Sequence, residues 1–169
     1  MIKSINHVLS IYQKNCRLFH MSRRNLINLT RYFALLMGVA FMLAGIGGFL
    51  PIITASPAEN APHLHISASH GKLLGLFPVN AVHNLFHLGI GIFGLISFRN
   101  YRSARFFSQI FGISLAILTI FGLIPTLDTI FGLMPVYSHD IWLHGLEAVA
   151  GLYFGFVVNM EADAPRETI

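Results

Sequence analysis

Histidine is the residue in this sequence whose number and placement most clearly point to chemistry. Two of the nine histidines, His7 and His20, lie near the N-terminus, and the other seven fall between residues 63 and 144. Imidazole is a common metal ligand, and it exchanges protons near neutral pH. The seven histidines of this central region are His63, His65, His70, His83, His87, His139 and His144.

The spacing of two pairs predicts a shared helix face. His83 and His87 are four residues apart, and Asp140 and His144 repeat that spacing. Side chains four residues apart lie one above the other on a helix and can ligate one ion. One interpretation is therefore a transition-metal site, such as copper or zinc, with its ligands drawn from His83, His87, Asp140, His144, His63, His65 and His70.

A haem site is a second interpretation of the same residues. His87 and His144 occupy matching positions in two similar segments, described below, so they could supply the two axial ligands of a haem. Both are therefore candidate cofactor-binding residues.

A structural interpretation and a proton-handling one remain beside these. Asn80, Asn84 and Glu147 would complete a polar cluster in which histidines hydrogen-bond between helices and asparagines cap helix ends. Alternatively, His144 and Glu147 could form a pH-sensitive pair that handles protons or ions. We find no Ser-His-Asp elbow, HExxH, phosphate loop or CxxC motif in the sequence, so an enzyme is not favoured.

Composition indicates that lipid surrounds the elements that position these residues. The 169-residue chain is 54% hydrophobic and only 11% charged, with a mean hydropathy of +0.65. A membrane helix needs roughly 20 mostly apolar residues. Four predicted spans satisfy this, at about 32–52, 81–98, 106–124 and 141–158. The predicted fold class is an all-α, integral membrane four-helix bundle in the lipid bilayer.

Basic residues predict the orientation of the bundle. Arginines and lysines precede the first span and separate the second from the third, whereas the other two connections contain only Lys72. The positive-inside rule then places both termini in the cytoplasm. This explains the net charge of +4 without nucleic acid as a partner. We predict a basic N-terminal segment over 1–30, whose first twenty residues are amphipathic, a membrane domain over 31–158 and a short tail over 159–169. Translation could start at Met1 or at Met21.

An internal match predicts two tandem helical hairpins. GLFPVNAVHNLFHLGIGIFGL, from Gly75, aligns without gaps with GLMPVYSHDIWLHGLEAVAGL, from Gly132, and this alignment pairs His87 with His144. GFLP before the first loop resembles GLIP before the second. Small residues predict the packing faces, because they let helices approach closely in lipid. These faces are Ala40, Ala44 and Gly48 on the first span, Gly91 and Gly94 on the second, Gly112 and Ala116 on the third, and Gly151 and Gly155 on the fourth.

The segment GLFPVNAVHNLFHL resembles the signature GLFxVNxxHNxxHL of a bacterial four-helix membrane family of unknown function. The resemblance covers about residues 30–158, and it implies four spans without any known reaction or ligand. It also implies a bacterial inner membrane or an internal photosynthetic one. The histidine-bearing loop HLHISASH departs from the family pattern.

The sequence thus predicts a small multi-pass membrane protein of unassigned role, with an outward-facing His/Asn/Asp cluster that is structural or binds a metal or haem. The alternative is an accessory or scaffold subunit that packs on a membrane protein partner, or on a second copy of itself, through Phe-rich faces.

Overall fold

Four helices build most of the protein, as the computed structural model describes it over residues 23–158. They are α1 (Arg23–Gly47), α2 (Ala81–Ser97), α3 (Tyr101–Leu123) and α4 (His139–Leu152), and α4 continues as a π-helical turn, Tyr153–Val157. Helices α1 and α3 are long and apolar enough to cross a membrane, and α2 is apolar but shorter. The predicted helical fold class is confirmed to this extent. The predicted amphipathic N-terminal stretch and the tail over 159–169 lie outside the described residues.

A small antiparallel sheet, which the sequence analysis did not predict, covers one end of the helices. Its strands are β1 (Thr54–Ala55), β2 (Gly71–Leu73) and β3 (Phe77–Val79), in the order β1-β2-β3. Lys72 of β2 pairs with Pro78 of β3 and with Ala55 of β1. Residues Leu74 and Gly75 turn the β2–β3 hairpin with positive φ angles of 54° and 73°. The first connection between helices is therefore a folded cover, and it leads directly into α2.

Asparagine caps fix where α2 and α3 begin. The Asn80 side chain accepts a hydrogen bond of 2.9 Å from the backbone N–H of His83, so α2 begins at Ala81 as predicted. Asn100 accepts the same type of bond from Ser103, so α3 begins at Tyr101 and earlier than the predicted residue 106. A capping side chain satisfies N–H groups that have no partner within the helix.

Glycines set the close crossings between helices. A Cβ atom on Gly94 of α2 would lie 2.7 Å from the Cα of Gly38 of α1. A Cβ on Gly151 of α4 would likewise lie 2.7 Å from the Cα of Gly112 of α3. Accordingly α1 packs chiefly on α2, and α3 chiefly on α4. The predicted packing residues on α2, α3 and α4 thus include the crossing glycines.

The predicted packing face of α1 is wrong at one position. Ala40 is exposed and lines a cavity with Ala44, whereas Gly38 makes the crossing. Small residues at four-residue spacing occur on two faces of α1, and spacing alone does not say which face meets a neighbour.

Phenylalanines form the core below the sheet-covered end. Phe41 of α1 contacts Phe111 of α3 edge to face, with ring centroids 5.2 Å apart. Phe107 stacks on Phe111, and Phe33 stacks on Phe154 at 4.5 Å. The rings of Phe41 and His87 also meet edge to face, with centroids 5.0 Å apart. The aromatic core therefore reaches up to the histidines.

Candidate functional site

Three histidines converge where α2 meets α4 beneath the sheet. His83 and His87 come from the first two turns of α2, and His144 comes from the second turn of α4. One potential ligand atom from each lies within 4.8 Å of the other two. The His83 ring centroid is 4.3 Å from that of His87 and 5.9 Å from that of His144. All three side chains are buried, with exposed fractions of 1%, 8% and 3%.

Asp140 stands beside this cluster in the first turn of α4. Its Oδ2 is 3.8 Å from Nδ1 of His83, which is longer than a hydrogen bond but close enough that a small movement would form one. The backbone carbonyls of Pro78 and Pro135 also approach the His83 ring, although neither ring nitrogen makes a hydrogen bond of good geometry. The carboxyl group is thus placed to orient His83.

Buried polar atoms without hydrogen bonds accumulate at this site. Such atoms are uncommon in folded proteins, and each one costs about 1–3 kcal/mol. No hydrogen bond joins the rings of His87 and His144 within residues 23–158, so the cross-helix bond of the structural interpretation is not formed. The unpartnered atoms at the site are both ring nitrogens of His83, both amide atoms of Asn84, Nδ1 of His87, Oδ2 of Asp140, Nδ1 of His144 and Oε2 of Glu147.

A cavity of about 320 Å³ adjoins the cluster. Its polar end is formed by His87, Asp140, His144 and Glu147. The remaining wall is apolar and comes from α1, the sheet and α4, as Ala40, Phe41, Leu43, Ala44, Ile53, Leu73, Leu74, Phe77, Val79 and Leu143. The cluster is therefore reached through an apolar space.

The arrangement suits a tetrahedral metal ion. Zinc binds imidazole nitrogens at about 2.0–2.1 Å, which places them roughly 3.3 Å apart. Movements of about 1 Å at each nitrogen would bring the three rings from their separation of up to 4.8 Å to that spacing. Three protein ligands would leave a fourth coordination position open.

Residues 31–157 match a family described as a domain of unknown function, DUF4383. The chain belongs to this family. No curated protein and no solved structure matches the chain. Membership of DUF4383 agrees with the resemblance to a family without a known function, and it assigns no role to the histidines.

The histidines of the first loop lie apart from the three-histidine cluster. The rings of His63 and His65 meet edge to face at 5.8 Å, and His65 lies against Gly132 of the second loop. His70 lines a separate cavity of about 240 Å³, and its partial burial lowers the pKa of its imidazole. Their assignment as metal ligands in this DUF4383 chain stays a prediction.

Asn80 and Asn84, predicted as structural members of the polar cluster, differ in what they do. Asn80 donates 2.8 Å hydrogen bonds to the carbonyls of Ile66 and Leu133, so it ties both outer loops to the start of α2. Asn84 is fully buried against Gly48, with its amide unpartnered. Sequence spacing did not identify Phe41, whose ring supports His87, nor the two proline carbonyls beside His83. The sequence signal that was available for the two prolines is the repeated LxPV motif, which occurs as LFPV and as LMPV.

Proposed function

We propose that this DUF4383 chain is a multi-pass membrane protein that binds one divalent transition-metal ion, with zinc as the first candidate, through His83, His87 and His144. The main support is that three buried imidazoles approach one point, while both ring nitrogens of His83 and Nδ1 of His87 and of His144 lack hydrogen-bond partners. An ion ligated by all three would offset the cost of burying them. Among residues 23–158 these three histidines form the only such group.

The geometry favours a metal ion over haem. A haem needs two axial ligands on opposite faces of a wide porphyrin ring. The His83 ring lies next to both His87 and His144, so a porphyrin placed between the latter two would have to displace it. A tetrahedral ion instead uses all three rings, and imidazole suits zinc, copper, iron and nickel.

Asp140 would act through His83 in this proposal. A carboxylate that accepts a hydrogen bond from the distant nitrogen of a metal-bound histidine fixes the orientation of the ring and makes it a better ligand. The 3.8 Å approach of Asp140 to Nδ1 of His83 supports that role. Glu147 lines the polar end of the cavity as well.

The surface of the helices supports the membrane part of the proposal. Large apolar side chains such as Leu36 on α1 and Leu123 on α3 are more than 60% exposed, as expected where lipid rather than water is the neighbour. Arginines occur at the start of α1 and around the α2–α3 connection, as Arg24, Arg31, Arg99, Arg102 and Arg105. By the positive-inside rule, the end of the bundle that carries these arginines and both termini lie on the cytoplasmic side of a bacterial inner membrane.

The crossing glycines support an origin from two tandem hairpins. Gly94 and Gly151 are separated along the chain by the same interval as Gly75 and Gly132, which begin the matched segments. The first halves of the two hairpins show the same relation. Their glycines, Gly38 and Gly112, are as far apart along the chain as the prolines that end the similar sequences GFLP and GLIP. Each half thus crosses at equivalent positions, and the metal site lies between the halves. A membrane protein partner or a homo-oligomer stays a prediction.

Metal analysis of the purified protein tests the proposal. The chain is purified with a tag that contains no histidine, stripped with a chelator, supplied with zinc and freed of excess ion. We expect about one zinc per chain by elemental analysis, because one set of three histidines converges. The His87→Ala and His144→Ala variants should lose this zinc, and His139→Ala should retain it because His139 is exposed and lies outside the cluster.

A correctly folded protein without zinc would overturn the proposal, and so would zinc binding that survives both the His87→Ala and the His144→Ala changes. Because either variant could be unstable, the zinc-dependent increase in melting temperature is compared as well. A bound ion stabilises the native state by roughly 2.7 kcal/mol at one hundred times its Kd. Wild type and His139→Ala should show this increase, and the other two variants should not.

A further inference from the structure

The cavity beside the histidines has an apolar mouth. Leu43 of α1 and Leu74 of the β2–β3 turn line the cavity and are 65% and 64% exposed. Leu143 of α4 lines it from the other side and is 38% exposed. The mouth therefore opens between α1 and α4, where the proposed bilayer would contact it. A molecule that enters there comes from lipid rather than from water.

Small residues of α1 create the space inside. Ala40 and Ala44, one helical turn apart, form part of the wall. The residue of the second half that is equivalent to Ala44 is Leu118 of α3, because the two are as far apart along the chain as Gly38 and Gly112. The Leu118 side chain is packed into the core. The volume of about 320 Å³ lies at the low end of the range for small-molecule sites, so it suits a single ring and the beginning of a chain.

The charges at the polar end favour an uncharged ligand. Asp140 and Glu147 line the cavity, and no lysine or arginine does so within the described chain. Two carboxylates would already balance a divalent ion, so the head group of a fatty acid or of an anionic phospholipid would add uncompensated negative charge. A hydroxyl group fits better, because it can donate to a carboxyl oxygen and offer its own oxygen to the proposed metal ion.

Aromatic and carboxyl side chains define what kind of hydroxyl fits. Phe41 and Phe77 line the cavity and can pack against a ring. Oε2 of Glu147 is buried without a hydrogen-bond partner, and a ligand hydroxyl would satisfy it. Phe41 also holds the His87 ring at 5.0 Å, so a ring beside Phe41 would place its hydroxyl near the proposed metal.

We infer that this cavity binds a lipid-soluble molecule with an aromatic hydroxyl group, a phenol or quinol, which enters between α1 and α4 and directs its hydroxyl to Glu147 and the metal. The inference rests on the proposed function, because the polar end of the cavity is the proposed metal site.

A binding measurement with two probes tests the inference. The zinc-loaded full-length protein is placed in lipid nanodiscs and titrated with decylubiquinol, which is kept reduced, or with decylbenzene, which has a ring and chain but no hydroxyl. Empty nanodiscs give the partition background. We expect decylubiquinol to bind at least about tenfold more tightly than decylbenzene, because only the quinol satisfies the polar end.

Variants of α1 separate the cavity from the metal site. Ala44→Leu should weaken quinol binding by about tenfold or more, since added methylene groups fill the space that the ring needs. Its zinc content should not change, because Ala44 is not in the cluster. Ala40→Leu is the second variant, for the case in which Ala44→Leu fails to fold. Val39→Leu is the matched control, because Val39 is exposed on the same helix and does not line the cavity.

Two results would overturn this inference and leave the proposed function intact. One is equal binding of the two probes to a zinc-loaded protein. The other is unchanged quinol affinity in both Ala44→Leu and Ala40→Leu. If neither zinc nor decylubiquinol binds to the folded protein, the proposed function and the inference are both overturned.

Discussion

The α1–α2 pair and the α3–α4 pair cross alike but differ in what they contribute to the site. Gly38 meets Gly94 in the first pair, and Gly112 meets Gly151 in the second. His87 and His144 stand at matched positions and both enter the cluster. The shared features are therefore the close crossing and one histidine from each half.

The differences between the halves lie at a few matched positions. His83 in the first half corresponds to Asp140 in the second, and these two side chains approach each other. Ile90 corresponds to Glu147 in the same alignment. Two identical halves would supply identical ligands on both sides, whereas these exchanges supply a third imidazole, a carboxylate to orient it and one polar cavity. A symmetric scaffold thus gains a specific site through a few asymmetric residues.

The largest effect is expected where the two halves are alike, at the crossing glycines. Gly94→Ala and Gly151→Ala should each destabilise the protein by about 3 kcal/mol or more, because the added Cβ meets backbone atoms that cannot move aside. The measurement is the free energy of unfolding in mixed micelles. Gly89→Ala is the control on α2, since a Cβ there has no neighbour within 4 Å. A tolerated Gly151→Ala beside a damaging Gly94→Ala would show that the crossings are not equivalent.

The starts of α2 and α4, at the sheet-covered end, are capped differently. Asn80→Ala removes one cap and two hydrogen bonds to the loops, so it should cost about 3 kcal/mol of unfolding free energy. Ser138→Ala at the start of α4 should stay within about 0.5 kcal/mol, because Ser138 makes no capping bond. Thermal unfolding of both variants provides the measurement. Equal losses would mean that the contribution of Asn80 does not come from these bonds.

Exchange of the matched acid tests the asymmetry of the proposed metal site. Asp140→Asn should weaken zinc affinity by about 10–100-fold, which is typical of the loss of a carboxylate that orients a ligating histidine. Glu147→Gln should change zinc affinity less, since Asp140 is the acid that lies 3.8 Å from Nδ1 of His83. Competition with a chelator of known affinity gives both values. A stronger effect of Glu147→Gln would instead make Glu147 the carboxylate that contacts the ion.

The smallest effect is expected in the first loop, which has no counterpart of equal length in the second half. Burial lowers the pKa of His70 below its ordinary value, so the folded protein favours the neutral ring. The stability from this group is complete above the unfolded pKa of about 6.5 and is lost as the pH falls through the folded pKa. The melting temperature should fall between about pH 8 and about pH 5, and we expect it to fall slightly less in His70→Gln than in the wild type. An unchanged or steeper decrease in this variant would contradict the burial of His70.

The sequence predicted the helices of the fold better than their packing. Apolar runs located all four helices, and Asn80 marked the start of α2. The three strands escaped detection because two or three residues are too few to show an alternating pattern. Ala40 and Gly38 also show why packing was harder, since small residues on two faces of α1 satisfy the same spacing rule.

The site was predicted in part for a similar reason. Matching positions identified His87 and His144, and helix spacing added His83 and Asp140. The rotation of one half against the other decides that His83 lies close to His144. It also decides that the histidines of the first loop lie apart from both. A single sequence does not contain that rotation. The cavity depends on it too, because Ala44 leaves space only where no neighbouring side chain fills it.

X-ray absorption at the zinc edge of the loaded protein would test the metal proposal most directly. We predict a four-coordinate ion with three imidazole ligands at about 2.0–2.1 Å and one further light atom in the wild type, and little or no zinc signal in His144→Ala. A zinc ion with fewer than three imidazoles in the wild type, or a spectrum unchanged by His144→Ala, would contradict the assignment of His83, His87 and His144 as the ligands.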